Sequence, residues 1–206
     1  MAKLDFTKEL ADLYHPSTTT FEIVDVPHMP DLMVDGHGDP NITQEYTHAV
    51  EALYAVAYRA KFMSKAELAR DYVIPPLEGL WTADNMRSFT TARDKGTWDW
   101  TMMIMVPAWI TSEMYERACD DVRRKKHVTA LQKLRMASYH EGRAVQITHI
   151  GSYDDEAPVL ERLHQEWIPH HGYTENGNHH EIYLSDPRRT AAAKLKTVLR
   201  QPIRKT

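Results

Sequence analysis

Alternating hydrophobic and polar residues near the start of the chain predict a β-hairpin. Residues 20–26 alternate as a strand, and residues 27–30, with the sequence Pro-His-Met-Pro, are typical of a turn. A second strand is predicted to begin at Leu32 and to end at Gly36 and Gly38, where glycines interrupt the apolar pattern. We therefore expect the fold to begin with two antiparallel strands joined at residues 27–30.

Apolar residues at helical spacing follow this hairpin and predict a long helix. Thr43 suits the N-cap position, because its hydroxyl can accept a hydrogen bond from the first helical turn. The apolar positions of the helix are Tyr46, Val50, Leu53, Ala57 and Ala60. Two further strands are expected at about 72–81 and 98–106.

The same order of elements returns later in the chain, which indicates an internal repeat. The predicted elements are a strand at 134–140, a tight turn at Glu141-Gly142, a strand at 143–150, a helix at 154–168, and strands at 178–184 and 196–201. A helix at about 111–126 is expected to connect the first part to the second.

These elements predict an α+β fold made of duplicated hairpin-helix-hairpin halves, at about 18–108 and 132–204. Two such halves can pair their sheets around a pseudo-twofold axis and leave a central ligand cleft at the junction. Because no long polar linker separates the halves, we expect a single domain across residues 1–206.

Composition narrows the class of protein. Hydrophobic residues make up 42% and charged residues 26% of the 206 positions, which is typical of a globular chain. No apolar run approaches the roughly 18 to 20 residues that span a bilayer, and the first residues lack the apolar stretch of a signal peptide. We therefore expect a cytoplasmic protein without membrane contact. Cys119 is the only cysteine, which excludes an internal disulfide.

Charge and motif content do not favour nucleic acid, metal or nucleotide as a partner. The net charge is -4, and the one basic run, at 123–126, ends a predicted helix, where cations oppose the helix dipole. The twelve histidines show no spacing typical of zinc ligands. No glycine-rich phosphate loop or Gly-x-Ser-x-Gly elbow is present. We expect no metal, no cofactor and no direct binding of nucleic acid, and the oligomeric state stays open.

The segment 98–105 combines tryptophan and methionine in an unusual strand. Alternation places Trp98, Trp100, Met102 and Ile104 on one face. Tryptophan and methionine suit both a protein core and the wall of a cleft that accepts flat ligands. The pattern therefore favours core and cleft equally for this face.

Two carboxylates stand at corresponding strand positions of the repeat, Glu78 and Glu181. Glu181 shares a strand face with His179 and Tyr183, and all three side chains can bond to a ligand or to water. Each carboxylate is consistent with a solvated surface or with a buried charge in a cleft.

Two segments near the end of the chain have a distinctive sequence, at residues 179–189 (HHEIYLSDPRR) and 194–202 (KLKTVLRQP). Further segments of this kind lie at 23–27 (IVDVP), 35–40 (DGHGDP), 76–81 (PLEGLW), 98–105 (WDWTMMIM) and 149–153 (HIGSY). Together they span nearly the whole chain. In these segments the chain resembles the GyrI-like small-molecule-binding family.

This resemblance implies a duplicated α+β fold of the SHS2 type with a central cleft. The cleft acid of the family falls at Glu181, and its aromatic walls fall at Trp81, Trp100, Tyr153 and Tyr183. The remaining candidate ligand contacts are Met102, Tyr139 and His179. Glu78 is the candidate second acid, as the counterpart of Glu181 in the first half.

Relatives of this family include drug-sensing parts of transcription regulators, a DNA gyrase inhibitor, and stand-alone proteins that hydrolyse the strained cyclopropane of DNA-alkylating natural products. The resemblance therefore leaves three functional classes open. We favour a detoxifying hydrolase of planar aromatic molecules, with Glu181, Glu78 and Tyr183 as catalytic residues, because no DNA-binding segment accompanies the domain. A non-catalytic multidrug-binding module or a gyrase-inhibitor-like protein is the alternative.

Overall fold

A computed structural model of the chain describes residues 3–83 and 95–206. Its strands are β1 (Glu22–His37), β2 (Leu77–Thr82), β3 (Asp99–Met105), β4 (Arg135–Ile150), β5 (Tyr173–Glu175), β6 (His179–Tyr183) and β7 (Lys196–Lys205). Its α-helices are α1 (Phe6–Glu9), α2 (Ala11–Tyr14), α3 (Gln44–Leu68), α4 (Ser112–Lys125), α5 (Ala157–Glu161) and α6 (Ile168–His170). Arg162–Trp167 is a π-helical turn that joins α5 to α6, and short 3₁₀ turns lie at Lys95–Thr97, Thr129–Lys133, Tyr153–Asp155 and Ala192–Lys194.

The strands form one antiparallel sheet in the order β4-β1-β3-β2-β6-β7-β5. Because β4 also pairs with β7, six of these strands close on themselves and enclose an interior. The α+β fold class expected from the sequence is confirmed.

The two predicted tight turns, at residues 27–30 and at Glu141-Gly142, are wrong. The first lies inside the continuous strand β1, and the second lies inside β4. The two strands pair with each other along one register, from Val26 opposite Gly142 to His28 opposite His140. Pro27 and Pro30 each lack one backbone donor, and β1 continues through both. Gly142 takes a φ of 73°, which glycine adopts readily, and β4 continues through it.

The long predicted helices are confirmed. The bounds of α4 differ from the prediction by one residue at each end, whereas α3 continues beyond Ala60, its last predicted apolar position, to Leu68. The Thr111 hydroxyl accepts a 3.2 Å hydrogen bond from the amide of Met114 and so caps α4. Thr43 occupies the N-cap of α3 without a side-chain hydrogen bond to that helix. The short strand β5 was not expected, because three residues are too few to show an alternation.

Helices cover the outer face of the closed sheet in two places. The largest hydrophobic core packs α3 and α4 on β1, β2 and β3, and includes Leu32, Val56 and Ile104. A smaller core packs the helical segment 157–170 on β4 and β7. Within the described ranges, no helix has both the length and the apolarity needed to cross a bilayer.

Residues 22–105 follow the order strand, helix, strand, strand, whereas residues 135–205 follow the order strand, helical segment and three strands, because the short strand β5 is added. The strands β2 and β6, one from each of the predicted halves, pair at the centre of the sheet. The duplication itself and the single domain across 1–206 stay predictions.

Candidate functional site

A cavity of about 990 Å³ lies on the outer face of the sheet, above the paired strands β2 and β6. One wall is α3 and the opposite wall is the segment from Ser152 to Leu160, with residues 184–188 at the edge. The ring-bearing side chains that line it are Tyr46, Tyr54, Tyr58, Trp81, Trp98, Tyr153 and Tyr183. A volume and lining of this kind suit a flat organic molecule of drug-like size.

The cavity floor is a row of three hydrogen-bonded side chains. Trp81 Nε1 donates a 3.1 Å hydrogen bond to the hydroxyl of Tyr183, and this hydroxyl donates a 2.8 Å hydrogen bond to Oε2 of Glu181. Leu77, Gly79 and Trp81 share one face of β2, because alternate residues of a strand point to the same side. Leu77 is paired with Tyr183 and Gly79 with Glu181, so Tyr183 and Glu181 lie on the same side of the sheet as Trp81. Each group in the row is therefore held in position by the next.

Gly79 gives the indole of Trp81 its place on this floor. A Cβ atom added at residue 79 would lie 2.8 Å from Nε1 of Trp81 and 3.2 Å from the sulfur of Met102. These distances leave no room for a side chain. The glycine therefore lets Trp81 fold back across the strand toward Tyr183.

A second carboxyl group, that of Glu156, lies next to Glu181. Glu156 directly precedes α5 and is 4% exposed, whereas the side chain of Glu181 is 14% exposed. Burial raises the pKa of Glu156 far above its ordinary value of 4.5, and the charge of Glu181 raises it further. Burial also raises the pKa of Glu181, while the hydrogen bond from Tyr183 opposes that rise.

This pair of carboxyls holds a proton at neutral pH, because two buried carboxylates in proximity do not both ionise. Glu156 is the protonated member, since its pKa is raised by both burial and its neighbour. Its Oε1 atom is buried without a hydrogen-bond partner among residues 3–83 and 95–206. The site thus offers one neutral acid and one carboxylate that is more accessible from the cavity.

His179 lies beside the carboxylate but below the cavity lining. Its Nε2 atom is 3.7 Å from Oε1 of Glu181, and the ring is 3% exposed. Burial lowers the pKa of His179, so the imidazole is neutral at physiological pH. On its other side the ring contacts that of His164 edge to face, with a centroid separation of 6.0 Å.

The structure divides the sequence-predicted site residues into three groups. Glu181, Tyr183, Trp81 and Tyr153 line the cavity. Trp100, Met102 and His179 are buried on the same side of the sheet but do not line it. Glu78 and Tyr139 lie on the other side of the sheet, in its interior.

Trp100 is part of the core directly behind the cavity wall. Its indole Nε1 donates a 3.1 Å hydrogen bond to the carbonyl of Gly38, and its ring lies against Gly36, where a Cβ would come within 2.1 Å of it. Tyr46 separates Trp100 from the cavity and meets its ring edge to face at 5.5 Å. Trp100 therefore supports the wall through Tyr46.

Glu78 belongs to a buried polar network inside the closed sheet. It accepts hydrogen bonds from Tyr14 at 3.0 Å and from His180 Nε2 at 2.9 Å. The other ring nitrogen of His180 lies 3.0 Å from both carboxylate oxygens of Glu141, which also accepts a 3.0 Å bond from Arg200. Glu78 pairs across the strands with Ile182 rather than with Glu181, which puts the two acids on opposite faces.

Sequence reasoning missed Glu156 and the tyrosines of α3. Glu156 follows Asp154 and Asp155, and such an acidic run before a helix is typical of a solvated helix start that complements the dipole. The signal that was available is that this run begins three residues after Gly151, just beyond the end of the largely buried strand β4. Tyr46 and Tyr54 had the spacing of core residues, and a cavity wall has the same spacing.

Metal binding finds no geometric support in the described parts of the chain. Within residues 3–83 and 95–206, no three histidine, cysteine or acidic side chains come together in a way that could hold an ion. The histidines instead make separate contacts, such as that of His164 with Glu175 at 2.7 Å.

An α+β domain with an aromatic cavity over a carboxyl pair defines a class of protein that encloses small organic molecules. Residues 19–204 match the GyrI-like small molecule binding domain, and the chain belongs to this family. The family expected from the resemblance is thereby confirmed. No match was found among curated proteins.

Similar solved structures cover nearly the whole chain. An uncharacterized conserved protein from Listeria innocua is 38% identical, with a TM-score of 0.88, over 98% of this chain and 100% of its own. A hydrolase encoded by lin2189 from Listeria innocua is 36% identical, with a TM-score of 0.86 over the same shares of the two chains. The C-terminal domain of EcmrR, 12% identical with a TM-score of 0.56 over 91% of this chain and 98% of its own, shares the fold.

Proposed function

We propose that this protein hydrolyses planar aromatic molecules that carry an activated cyclopropane, and so detoxifies DNA-alkylating natural products. The observation that carries the proposal is the carboxyl pair, Glu156 and Glu181, in the wall and floor of an aromatic cavity. Membership of a small-molecule-binding family and the similarity to a hydrolase from Listeria innocua support it.

Glu181 is the proposed general base. Its carboxylate accepts a proton from a water molecule as the water oxygen attacks a ring CH₂ carbon of the cyclopropane. A carboxylate with a raised pKa is better suited to this transfer at neutral pH than an ordinary surface glutamate. The aromatic walls hold the flat substrate so that its strained ring lies over the floor.

Glu156 is the proposed general acid. As the new C–O bond forms, the C–C bond of the cyclopropane breaks and its electron pair moves through the conjugated system to the carbonyl oxygen. The neutral carboxyl of Glu156 supplies a proton to that oxygen. The two residues then exchange a proton through water, and the net reaction adds one water to the substrate.

Tyr183 has a positioning role in this proposal. Its hydroxyl hydrogen is already donated to Glu181, and its oxygen accepts the indole N–H of Trp81. It therefore orients the carboxylate rather than donating to a substrate oxygen. This assignment differs from the donor role that a tyrosine on this strand would suggest by itself.

The test is incubation of the purified protein with a cyclopropane-bearing alkylator of DNA, followed by mass spectrometry. We expect a product heavier by one water, formed catalytically. The Glu181→Gln variant is the matched control, since it keeps the size of the side chain. If the alkylator is consumed no faster with the protein than without it, the proposal is overturned.

A second candidate function is non-catalytic binding of cationic aromatic drugs. It is favoured by the same Glu181 carboxylate, which is a counter-charge surrounded by rings that can stack on a flat cation. Tight binding of cationic ligands with no turnover of the alkylator would favour this function over hydrolysis.

A further inference from the structure

Three aromatic side chains form a row of neighbouring rings along α3. Tyr54 and Tyr58 have a centroid separation of 6.3 Å with an interplanar angle of 31°. Tyr58 and Phe62 have the same separation, with an angle of 28°. The residues are four positions apart, and this spacing places them on one side of the helix. We call these three residues the outer aromatic row.

The outer aromatic row continues the wall of the cavity. Tyr54 and Tyr58 line the cavity together with Tyr46 and Val50, which precede them on the same side of α3. At a rise of about 1.5 Å per residue, the distance from Tyr46 to Phe62 is about 24 Å along the helix. The wall therefore extends from the buried floor to the surface of the protein.

The outer end of the row is exposed to solvent. Phe62 is 55% exposed and Tyr58 is 47% exposed, whereas Tyr54 packs against the main core. The cations next to these residues on α3 bind elsewhere, since Arg59 donates to Asp121 and Lys61 donates to Asp71. The ring faces of the row are therefore not covered by Arg59 or Lys61 and are available for contact with a flat group.

We infer that the outer aromatic row is a second binding subsite, which holds the part of an extended aromatic ligand that projects out of the cavity. The inference rests on the proposed binding of aromatic molecules and adds a length requirement to it. Its occupant is a flat aromatic group attached to the portion in the cavity, because Tyr58 belongs to the cavity and to the row at once. Stacking on Phe62 and Tyr58 then buries rings that are otherwise exposed.

The subsite can be tested with oligo(p-benzamide) probes of two and four rings, which share chemistry and differ in length. Binding is measured by calorimetry on wild-type protein and on Phe62→Ala. We expect the variant to bind the four-ring probe about 3- to 10-fold more weakly and the two-ring probe as before. Phe62→Trp should restore the affinity for the long probe, and Leu68→Ala, an exposed apolar residue of α3 outside the row, should change neither affinity.

The outcomes that would contradict the subsite also show whether the proposed binding of aromatic molecules still holds. If wild type binds both probes and Phe62→Ala binds both as before, or weakens both equally, the subsite is wrong and the cavity remains a binding site. If wild type binds neither probe, the proposed aromatic binding and the subsite fail together. A concentration-dependent dimer in sedimentation that Phe62→Ala dissociates would instead assign the row to contact between copies of this chain, and would overturn the inference.

Discussion

Tyr183 donates a 2.8 Å hydrogen bond to Oε2 of Glu181, its neighbour two residues back on the same strand. The bond fixes the carboxylate on the cavity floor and favours its ionised form, against the burial that favours the protonated form. The balance of these two effects keeps a buried acid available as a base near neutral pH. Removing the phenol hydroxyl therefore changes the ionisation of Glu181 as well as its orientation.

The first prediction is that Tyr183→Phe moves the acid limb of the pH–rate profile upward. Loss of the hydrogen bond raises the pKa of Glu181, so a higher pH is needed to ionise the same fraction of the base. The measurement is kcat/KM against pH for hydrolysis of the alkylator. Tyr54→Phe, which changes a cavity tyrosine of α3, is the control and should leave the limb in place. An unchanged profile in Tyr183→Phe would show that Glu181 is not the titrating base.

Replacing either acid by glutamine should separate catalysis from binding. Glutamine keeps the size of the side chain but cannot accept a proton from water or give one to a carbonyl oxygen. We expect Glu181→Gln to lower turnover by roughly 10²- to 10⁴-fold, with little change in the affinity for a neutral aromatic ligand. Glu156→Gln should lower turnover by a similar factor. If Glu181→Gln keeps full turnover and full affinity for cations, Glu181 has no functional role.

Stability measurements on Glu156→Gln test the protonation state without any substrate. Folded Glu156 keeps its proton at a pH where the unfolded chain, with a pKa near 4.5, has lost it. The folded state therefore binds more protons through this group, so the contribution of Glu156 to stability falls as the pH rises above 4.5. Glutamine removes this dependence, and we expect Glu156→Gln to be more stable by about 1 to 3 kcal/mol at pH 7.

The control for this measurement is Glu161→Gln, which changes an exposed glutamate of α5. It should leave the free energy of unfolding at pH 7 nearly unchanged. Chemical unfolding at several pH values gives the free energy of unfolding of each protein and its dependence on pH. A Glu156→Gln protein that is less stable than wild type at pH 7 would mean that Glu156 is ionised and paired in the folded state.

The alternation of the sequence predicts most strands and the long helices, yet it leaves the faces of individual strands undecided. Glu78 and Glu181 are both acids within predicted strands, and both suit the same role. The register of β2 with β6 decides between them, since a shift by one residue sends a side chain to the other face. That register depends on pairing between distant segments, which a single strand pattern does not contain.

Glu156 shows the same limit on the helical side of the cavity. An acid directly before a helix is a common local feature, and its local sequence is that of a solvated helix start. It becomes a site residue only because α5 packs on β7, the strand that pairs with the Glu181 strand β6. The continuous strands β1 and β4 are a further case, since Pro27 and Gly142 are turn formers locally and the long pairing of the two strands overrides them.

The buried network inside the sheet should control stability as a function of pH. The carboxylate of Glu141 and the imidazolium of His180 stabilise each other: their contact lowers the pKa of Glu141 from 4.5 and raises the pKa of His180 from 6.5. The Glu141 contribution is lost as the pH falls through its lowered pKa. The His180 contribution is complete below 6.5 and is lost as the pH rises through its raised pKa. The combined contribution should therefore be largest between pH 4.5 and 6.5.

Glu141→Gln should lower the free energy of unfolding by about 3 to 5 kcal/mol in that pH range, because it leaves His180 and Arg200 with less buried counter-charge. Glu175→Gln, which removes a partly exposed contact with His164, is the control and should cost below about 1 kcal/mol. A loss in Glu141→Gln no larger than in the control would show that the network does not contribute to stability.

Trp81 and Trp100 should differ in what they contribute, although both are almost completely buried. Trp81 lines the cavity and donates to Tyr183, so Trp81→Phe should weaken binding of a neutral flat ligand such as acridone by about 3- to 10-fold. Trp100 lies behind Tyr46, so Trp100→Phe should leave the affinity within about twofold but lower the melting temperature through lost core volume. Quenching of tryptophan fluorescence by acridone reports the affinity, and thermal unfolding reports the stability. Equal losses of affinity in the two variants would place Trp100 in contact with the ligand and contradict its position in the core.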